Sequence, residues 1–460
     1  MTWINKILKG DRVIWVVMFI LGIISLIAVY SATSSEAHVR VGAYNEQVLI
    51  KHAATLFAGF VMMFLASRIN YRRYSRAIEL ILLLCFVLLI FTYFFGSRIN
   101  GASRSIMGFQ TSELAKIVLI TYLAKYIVVW NQKDYTFKDL IVPVFLPILL
   151  IVAPIFPENL STAAMLFVVC IVMLFIGQIK FKYIMAVIGI VVLGMGLYIL
   201  TDDVVANYRQ KKHEKIVQLA QANPADIKLQ EKAARKPRVS RVETWKGRIE
   251  AMKEERAAKK ALDARGEKKP LQIDDRNAQK TYAKIAVARG GLFGKGSGKS
   301  TQRNFLPQPF SDCIYAIIIE EYGLVGGAFV MLLYIILLTR SIRIMKKRPL
   351  SFGALLSFGI AFILIMQAMI NMGVSTGLLP VTGQQLPFVS KGGSSMLMTG
   401  FAVGMILSVT RSLEEAESIV DSENSPQGGN KQTAQGNALG IEIQGNALGN
   451  NEPEQIITES

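Results

Sequence analysis

Long apolar stretches separated by short polar segments dominate the pattern of this sequence. Ten of the stretches approach the roughly 20 residues that an α-helix needs to cross the hydrocarbon core of a bilayer. They fall at residues 13–30, 49–66, 78–95, 112–130, 140–155, 162–176, 184–200, 312–339, 353–373 and 395–409. We therefore predict an all-α integral membrane protein with about ten transmembrane helices, of which the fifth is kinked by its prolines.

Basic residues in the short loops predict the orientation of these spans. Arg and Lys side chains follow the second, fourth, sixth and eighth spans, and short loops rich in these residues stay in the cytoplasm. Both termini are then cytoplasmic. The loops that face outward are 31–48, 96–111, 156–161, 201–311 and 374–394.

Four regions follow from this pattern. Residues 1–200 carry spans one to seven, and residues 201–311 form a large basic loop on the outer side. Residues 312–412 carry spans eight to ten. The polar residues 413–460 are expected to form a disordered cytoplasmic tail.

The large loop has its own pattern. Residues 211–236 and 248–269 are rich in Ala, Lys, Glu and Gln, which favours helices without an apolar stripe. One interpretation is a solvated helical insert. The other is a cationic surface over anionic headgroups or over a diphosphate substrate.

Composition agrees with a membrane protein. Of the 460 residues 52% are apolar and 18% are charged. The net charge of +18 is explained by the loops that flank the spans, so nucleic-acid binding is not expected. The three cysteines lie far apart and show neither metal-binding nor redox spacing.

A glycine-rich stretch, GGLFGKGSGKS at 290–300, resembles a phosphate-binding loop only in part. That motif requires a glycine where Phe293 stands, and no strand precedes it. We therefore reject a nucleotide site here. The glycines are expected to form a tight turn that leads into the eighth span.

Carboxylates at the start of the eighth span need an explanation. Asp312 lies where the polar loop meets the span, and Glu320 and Glu321 follow two helical turns later, inside the apolar slab. Ionisable groups at that depth are costly and mark functional sites. Asp312 could act as a general base, or Ser311 or Asp312 could simply cap the helix.

Two further polar pairs fall on single helix faces. Glu113 and Lys116 are three residues apart and can form an ion pair, which is either structural or part of a polar cavity wall. Arg104, in the preceding loop, could approach the same cavity and hold a phosphate. Gln367 and Asn371, four residues apart, place two amide groups on one face of the ninth span.

The segment after the ninth span is dense in Gly, Pro, Ser and Thr. Residues 373–395 read GVSTGLLPVTGQQLPFVSKGGSS. This composition predicts a folded, partly re-entrant loop that lines a cavity.

Taken together, these stretches resemble the SEDS family (shape, elongation, division and sporulation) of peptidoglycan glycosyltransferases. The resemblance covers residues 13–412, apart from the insert in the large loop. The blocks that carry it are NGASR at 100–104 with QTSELAK at 110–116, ENLST at 158–162, the glycine turn with FLP at 305–307 and DCIYAIIIEEYG at 312–323, and residues 371–395.

The resemblance implies a polymerase that uses two lipid II molecules in the outward cavity. The family's catalytic aspartate corresponds to Asp312, as general base on the acceptor hydroxyl. Arg104, Glu113 and Lys116 would line the cavity, and Arg104 or Lys116 would stabilise the diphosphate leaving group. The other residues expected to bind substrate are Glu320, Glu321, Asn371, Thr382, Ser390 and Ser394.

Several positions depart from the family pattern. Phe310 and Ser311 replace the His-Thr that precedes the aspartate, and Asn159 replaces a second aspartate. Lys391 stands in place of a tyrosine, and Ser105 in place of a tryptophan. None of these changes removes Asp312.

The opening LIAVYSAT at 26–33 and the long tail favour the division type of the family over the elongation type. The resemblance implies a location in the bacterial inner membrane at the septum. It implies as partners a class B penicillin-binding protein, other divisome membrane proteins and membrane lipids. A divalent cation is possible, with no ligands assigned.

A lipid-linked precursor flippase and a non-catalytic scaffold are the competing interpretations. The grouping of the polar residues on the outer side argues against the flippase. The presence of Asp312, Glu113 and Lys116 argues against the scaffold.

Overall fold

The computed structural model describes residues 8–33, 45–99, 102–105, 109–222, 278–306 and 309–423, with scattered residues between 242 and 257. Helices make up most of this part of the chain. They are α1 (Arg12–Thr33), α2 (Asn45–Arg68), α3 (Tyr71–Phe95), α4 (Thr111–Asn131), α5 (Phe137–Leu140), α6 (Leu146–Ile155), α7 (Leu160–Ile176), α8 (Phe181–Ala222), α9 (Ala278–Gly290), α10 (Ile314–Lys347), α11 (Phe352–Ser375) and α12 (Gly393–Glu423). A short antiparallel hairpin, β1 (Ser97–Ile99) and β2 (Ala102–Ser105), precedes α4.

The predicted all-α membrane architecture is confirmed. Eight helical segments of the described residues are long and apolar enough to cross a bilayer: α1, α2, α3, the continuous α5–α6 unit, α8, α10, α11 and α12. The other two predicted spans are also helical, as α4 and α7, but they are not among the eight. The exact count of ten is therefore not confirmed.

Two of the spans are irregular. A π-helical turn, Ile141–Phe145, joins α5 to α6 and contains Pro143, in agreement with the predicted kink. In α10 the helix is interrupted at Gly323, which has a φ of +71°. The pattern of apolar and polar residues does not predict this second interruption.

Helix α8 is longer than predicted. A span at 184–200 and a separate loop helix from 211 were expected, but one helix of 42 residues runs from Phe181 to Ala222. At 1.5 Å per residue it extends about 63 Å, roughly twice the hydrocarbon thickness. The second predicted loop helix, 248–269, lies largely outside the described residues. The predicted disordered tail, 413–460, is wrong in its first part, because residues 413–423 continue the helix α12. Residues 424–460 lie outside the described part of the chain.

The described fragment around Trp245 contacts the middle of this long helix. The Trp245 ring packs edge-on against Phe156, with 5.2 Å between ring centroids, and lies beside Tyr198. Lys246 Nζ lies 2.7 Å from Asp203 Oδ2. These contacts join the large loop to α8 and to the α6–α7 corner.

Among the eight helices that are long and apolar enough to cross a bilayer, α11 is the most enclosed, since 72% of its most apolar stretch is buried. It packs against α10, α4 and α7. The non-helical segment 376–392 follows it, and residues 386–390 of this segment are buried. Polar side chains on α11 therefore meet the loop, α4 and the start of α10 inside the molecule.

Candidate active site

The turn that precedes α10 carries Asp312. Its carboxylate is partly exposed, and Ser311 Oγ donates a hydrogen bond to Asp312 Oδ1 at 3.0 Å. The N-cap position of α10 is occupied by Cys313, whose side chain makes no capping bond. Asp312 thus lies just before the helix, at its mouth, rather than at the cap.

Asn371, on α11, holds this turn by hydrogen bonds to the backbone. Its side chain is 1% exposed, and its Nδ2 donates to the backbone oxygen of Asp312 at 3.0 Å and to that of Gln384 at 2.7 Å. The Gln384 side chain in turn donates to Thr162 Oγ1, on α7, at 2.7 Å. The side-chain amides of Asn371 and Gln384 therefore link the turn, the loop after α11 and helix α7.

Ser390 supports the same turn from the loop. Its hydroxyl donates to the backbone oxygen of Ser311 at 2.7 Å and accepts the Leu386 N–H at 2.8 Å. Asn371 and Ser390, both expected to bind substrate, therefore hold backbone atoms beside Asp312. Their described contacts position the turn.

The predicted ion pair between Glu113 and Lys116 is present. Lys116 Nζ lies 2.8 Å from Glu113 Oε1 and 2.8 Å from Gln367 Oε1, and both charged residues are buried. Gln367 Nε2 donates to the backbone oxygen of Gln385 at 3.0 Å. Because Gln367 and Asn371 lie one helical turn apart, α11 connects this ion pair to the turn of Asp312.

The remaining predicted residues lie around this network. Ser394, in the first turn of α12, accepts the Gln110 N–H at 3.0 Å. Thr382 lies in the loop, and its hydroxyl is buried without a hydrogen-bond partner among the described residues. Arg104 lies on β2, but its side chain is outside the described part of the chain.

A small cavity of about 30 Å³ lies between α3, the start of α4 and the α6–α7 corner. Its polar lining includes Gln110, Ser112, Glu158 and Asn159. Asn159 Oδ1 accepts the Thr162 N–H at 3.2 Å, so the residue that replaces the family's aspartate caps α7. In the described residues no three His, Cys, Asp or Glu side chains are grouped to hold a metal ion.

Glu320 and Glu321 lie deeper in α10 and bind a different segment. Glu320 is fully buried and accepts hydrogen bonds from Ser300 Oγ at 2.5 Å, Lys295 Nζ at 3.0 Å and the backbone N–H groups of Thr301 and Gln302 at 3.2 Å. Glu321 accepts from the Ser31 hydroxyl and from the Ser300 N–H. All these partners belong to the chain itself. Substrate binding by the two glutamates stays a prediction.

Sequence reasoning missed Gln384, Gln385 and Thr162 as members of the network. Their signal was present, because consecutive glutamines interrupt an apolar loop and a threonine opens α7 within the ENLST block. The spacing of polar residues along one helix does not reveal which loop carbonyls they will meet.

Comparison with known proteins places the chain among described families. The family model for cell cycle proteins of the FtsW, RodA and SpoVE type matches residues 11–226 and 267–415. The gap between the two matched segments, residues 227–266, falls inside the large loop predicted at 201–311. Stage V sporulation protein E of Bacillus subtilis is 30% identical over 88% of this chain and 98% of its own length. The probable peptidoglycan glycosyltransferase FtsW of Geobacter sulfurreducens is 31% identical over 90% of this chain and 98% of its own.

Solved structures share the fold. RodA, the rod shape determining protein of Thermus thermophilus, superposes with a TM-score of 0.57 at 20% identity, over 88% of this chain and 98% of RodA. A chain from a study of polymerization and crosslinking by a peptidoglycan synthase complex gives a TM-score of 0.58 at 21% identity, with the same coverage. This chain belongs to the FtsW/RodA/SpoVE family.

Proposed function

We propose that this protein is a peptidoglycan glycosyltransferase that polymerises lipid II into β-1,4-linked glycan strands. One observation carries the proposal: a partly exposed aspartate stands at the end of a buried hydrogen-bond network. Asn371 and Ser390 hold the backbone of its turn. A membrane bundle needs no such network for packing alone, since polar groups in apolar surroundings are costly.

The proposed reaction is an inverting glycosyl transfer. The acceptor's sugar hydroxyl attacks the anomeric carbon of the donor, and the carbon–oxygen bond to the diphosphate breaks. Asp312 takes the proton of the attacking hydroxyl as general base. Undecaprenyl diphosphate leaves with the electron pair of the broken bond, and cavity cations such as Arg104 and Lys116 stabilise its charge.

The position of Lys116 supports this role only indirectly. Lys116 is 3% exposed, and its ammonium group is already held by Glu113 and Gln367. We therefore assign Lys116 to the wall of the cavity, where it fixes the polar network and adds a positive potential. Arg104 is the proposed direct contact with the diphosphate.

We further propose a multi-pass protein of the bacterial inner membrane with both termini in the cytoplasm. Relatives named FtsW support a role in septal cell-wall synthesis. The fold shared with a chain of a peptidoglycan synthase complex supports pairing with a class B penicillin-binding protein, a transpeptidase. Other divisome membrane proteins complete the expected set of partners.

The test is glycan-strand formation from purified lipid II, with wild-type protein and Asp312→Ala, each with its cognate transpeptidase. The wild type is expected to make polymer, and Asp312→Ala to lose at least about 100-fold in rate, as expected for a general base. Asp134→Ala is the matched control, because Asp134 is an exposed aspartate in the loop before α5. It is expected to keep full activity.

Two results would contradict the proposal. Equal polymer from wild type and Asp312→Ala would remove the general-base role. If neither protein makes polymer while both transport labelled lipid II across liposomes, the flippase interpretation replaces the glycosyltransferase.

A further inference from the structure

Two of the departures from the family pattern meet beside Asp312. Lys391 stands in place of a tyrosine, and Phe310 in place of a histidine. The Lys391 N–H donates to the Phe310 backbone oxygen at 2.9 Å, and Lys391 Nζ lies 4.5 Å from the centroid of the Phe310 ring. The aromatic face therefore holds an ammonium group two residues from the proposed base.

The backbone of the loop fixes this arrangement. Phe388 is 1% exposed and has a φ of +62°, a left-handed conformation that is unfavourable for a bulky residue. Its ring packs edge-on against Phe60, with 5.0 Å between centroids. Such strain persists only where the surroundings determine it. The position of Lys391 is therefore built into the fold of the loop.

Helix α2 carries a second cation, Lys51, close to the loop of Lys391. A contact between the helix and the loop is made through the neighbouring residue, His52. His52 is 1% exposed, and its Nε2 lies 2.8 Å from Ser25 Oγ, which donates to the Val389 backbone oxygen at 2.8 Å. Through Ser25, this bridge connects His52, which is next to Lys51, with Val389, which is close to Lys391 in the loop. Burial lowers the pKa of Lys391, and the positive charge of Lys51 lowers it further.

Neither cation, Lys51 or Lys391, is neutralised by a carboxylate within the part of the chain that the structure describes. Lys51 is exposed and Lys391 is partly exposed, so an external anion can reach both. The bridge through Ser25 sets the start of α2 beside this loop, so the two lysines are neighbouring positive charges with no carboxylate partner among the described residues. Such a pair favours binding of a doubly charged anionic group.

We propose that Lys51 and Lys391 form a binding site for a phosphate or diphosphate group beside the turn of Asp312. In the predicted orientation both lie on the outer side of the membrane, at the level of lipid headgroups. The diphosphate of a lipid-linked substrate and the phosphate of an anionic phospholipid share this chemistry. The substrate version rests on the proposed function.

The first measurement is the affinity of the purified full-length protein, in neutral detergent, for undecaprenyl diphosphate. Lys51→Gln and Lys391→Gln are each expected to raise the Kd about tenfold, the loss of one charge-assisted contact. Lys391→Arg is expected to stay within about twofold, because it keeps the charge. Lys299→Gln is the matched control, since Lys299 is an exposed lysine of the loop before α10.

The second measurement replaces the probe with vesicles that contain phosphatidylglycerol in neutral lipid. If Lys51→Gln and Lys391→Gln bind these vesicles more weakly but keep the wild-type Kd for undecaprenyl diphosphate, the phosphate site stands and its ligand is a lipid headgroup. The substrate version of the proposal is then wrong. If neither Gln variant differs from Lys299→Gln with either probe, the site does not exist. Equal unfolding temperatures across the variants exclude misfolding as the cause.

Neither assay requires turnover, which separates this inference from the proposed function. A wild type that makes no polymer, with Gln variants that lose diphosphate binding, would leave the site in place and remove the glycosyltransferase. If the wild type polymerises lipid II but both Gln variants bind undecaprenyl diphosphate as tightly as the wild type, the glycosyltransferase stands and the substrate version of this site is wrong.

Discussion

One carboxylate lies inside helix α10 and another in the turn just before it, and their surroundings differ. Glu320 is fully buried, and its carboxylate is surrounded by hydrogen-bond donors from the loop between α9 and α10, among them Ser300 and Gln302. At Asp312, two turns earlier, the carboxylate is partly exposed, while Asn371 binds the backbone oxygen of the residue. The Glu320 carboxylate therefore binds and holds a loop of the chain. At Asp312 it is the backbone that is held, through the hydrogen bond from Asn371.

The difference shows how to judge a carboxylate in an apolar helix. Burial alone does not indicate catalysis, because Glu320 is the more deeply buried of the two and its described partners account for its cost. Exposure at the helix mouth, with supporting groups that bind the surrounding backbone, is what a reactive carboxylate needs. Predictions that separate stability from activity therefore test this comparison.

The largest loss of stability is expected from Glu320→Ala. The change leaves the Ser300 hydroxyl, the Thr301 and Gln302 N–H groups and the Lys295 ammonium without their acceptor. Removing one partner of a buried charged network costs about 3–5 kcal/mol. Unfolding followed in detergent by heat or denaturant measures the loss.

The control for this experiment is Glu46→Ala, since Glu46 is exposed in the first turn of α2. It is expected to change the free energy of unfolding by less than about 0.5 kcal/mol. If the two variants unfold alike, Glu320 does not hold the loop and the contrast with Asp312 fails.

A smaller loss is expected from Gly323→Ala. Gly323 has a φ of +71°, and a Cβ there would lie 2.1 Å from the Leu292 backbone oxygen. The interruption frees backbone carbonyl groups of α10 for the loop. The Lys295 N–H donates to the Glu320 backbone oxygen at 3.0 Å, and the Gly296 N–H donates to the Glu321 backbone oxygen at 2.9 Å. We expect a loss of about 2 kcal/mol from the strained backbone and the displaced loop.

Gly189→Ala provides the comparison, because a Cβ at Gly189, within α8, would meet nothing within 4 Å. Helix propensity predicts a gain of up to about 1 kcal/mol there. Faster proteolysis of the loop at 291–299 in Gly323→Ala, and not in Gly189→Ala, would locate the damage. Unchanged proteolysis and stability would show that the interruption is not required for docking.

The sequence was informative wherever one helix decides the contact. Apolar length located the spans, and a spacing of three predicted the Glu113–Lys116 pair. A spacing of four placed Gln367 and Asn371 on one face, and both reach the loop after α11. Helix geometry is fixed by local bonds, so positions on one helix can be read from numbers alone.

Contacts between distant segments could not be read in this way. The partners of Glu320 lie 18 to 25 residues earlier in a glycine-rich loop, and Ser311, which accepts from Ser390, lies 79 residues before it. The sequence shows that a buried polar group needs a partner, but many loops offer donors of equal chemistry. The interruption at Gly323 has the same origin, since one glycine in a helix is ordinarily tolerated.

The smallest change in stability, and the sharpest separation, is expected from Asn371→Ala. It removes the donor that binds the backbone oxygens of Asp312 and Gln384, which costs about 1–2 kcal/mol. Because a small displacement of a reacting group has a large effect on rate, polymerisation is expected to fall at least about tenfold. Asn131→Ala, at the end of α4, should leave both quantities unchanged. If Asn371→Ala loses stability but keeps its rate of polymerisation, the amide only packs the bundle, and the turn of Asp312 resembles the Glu320 region after all.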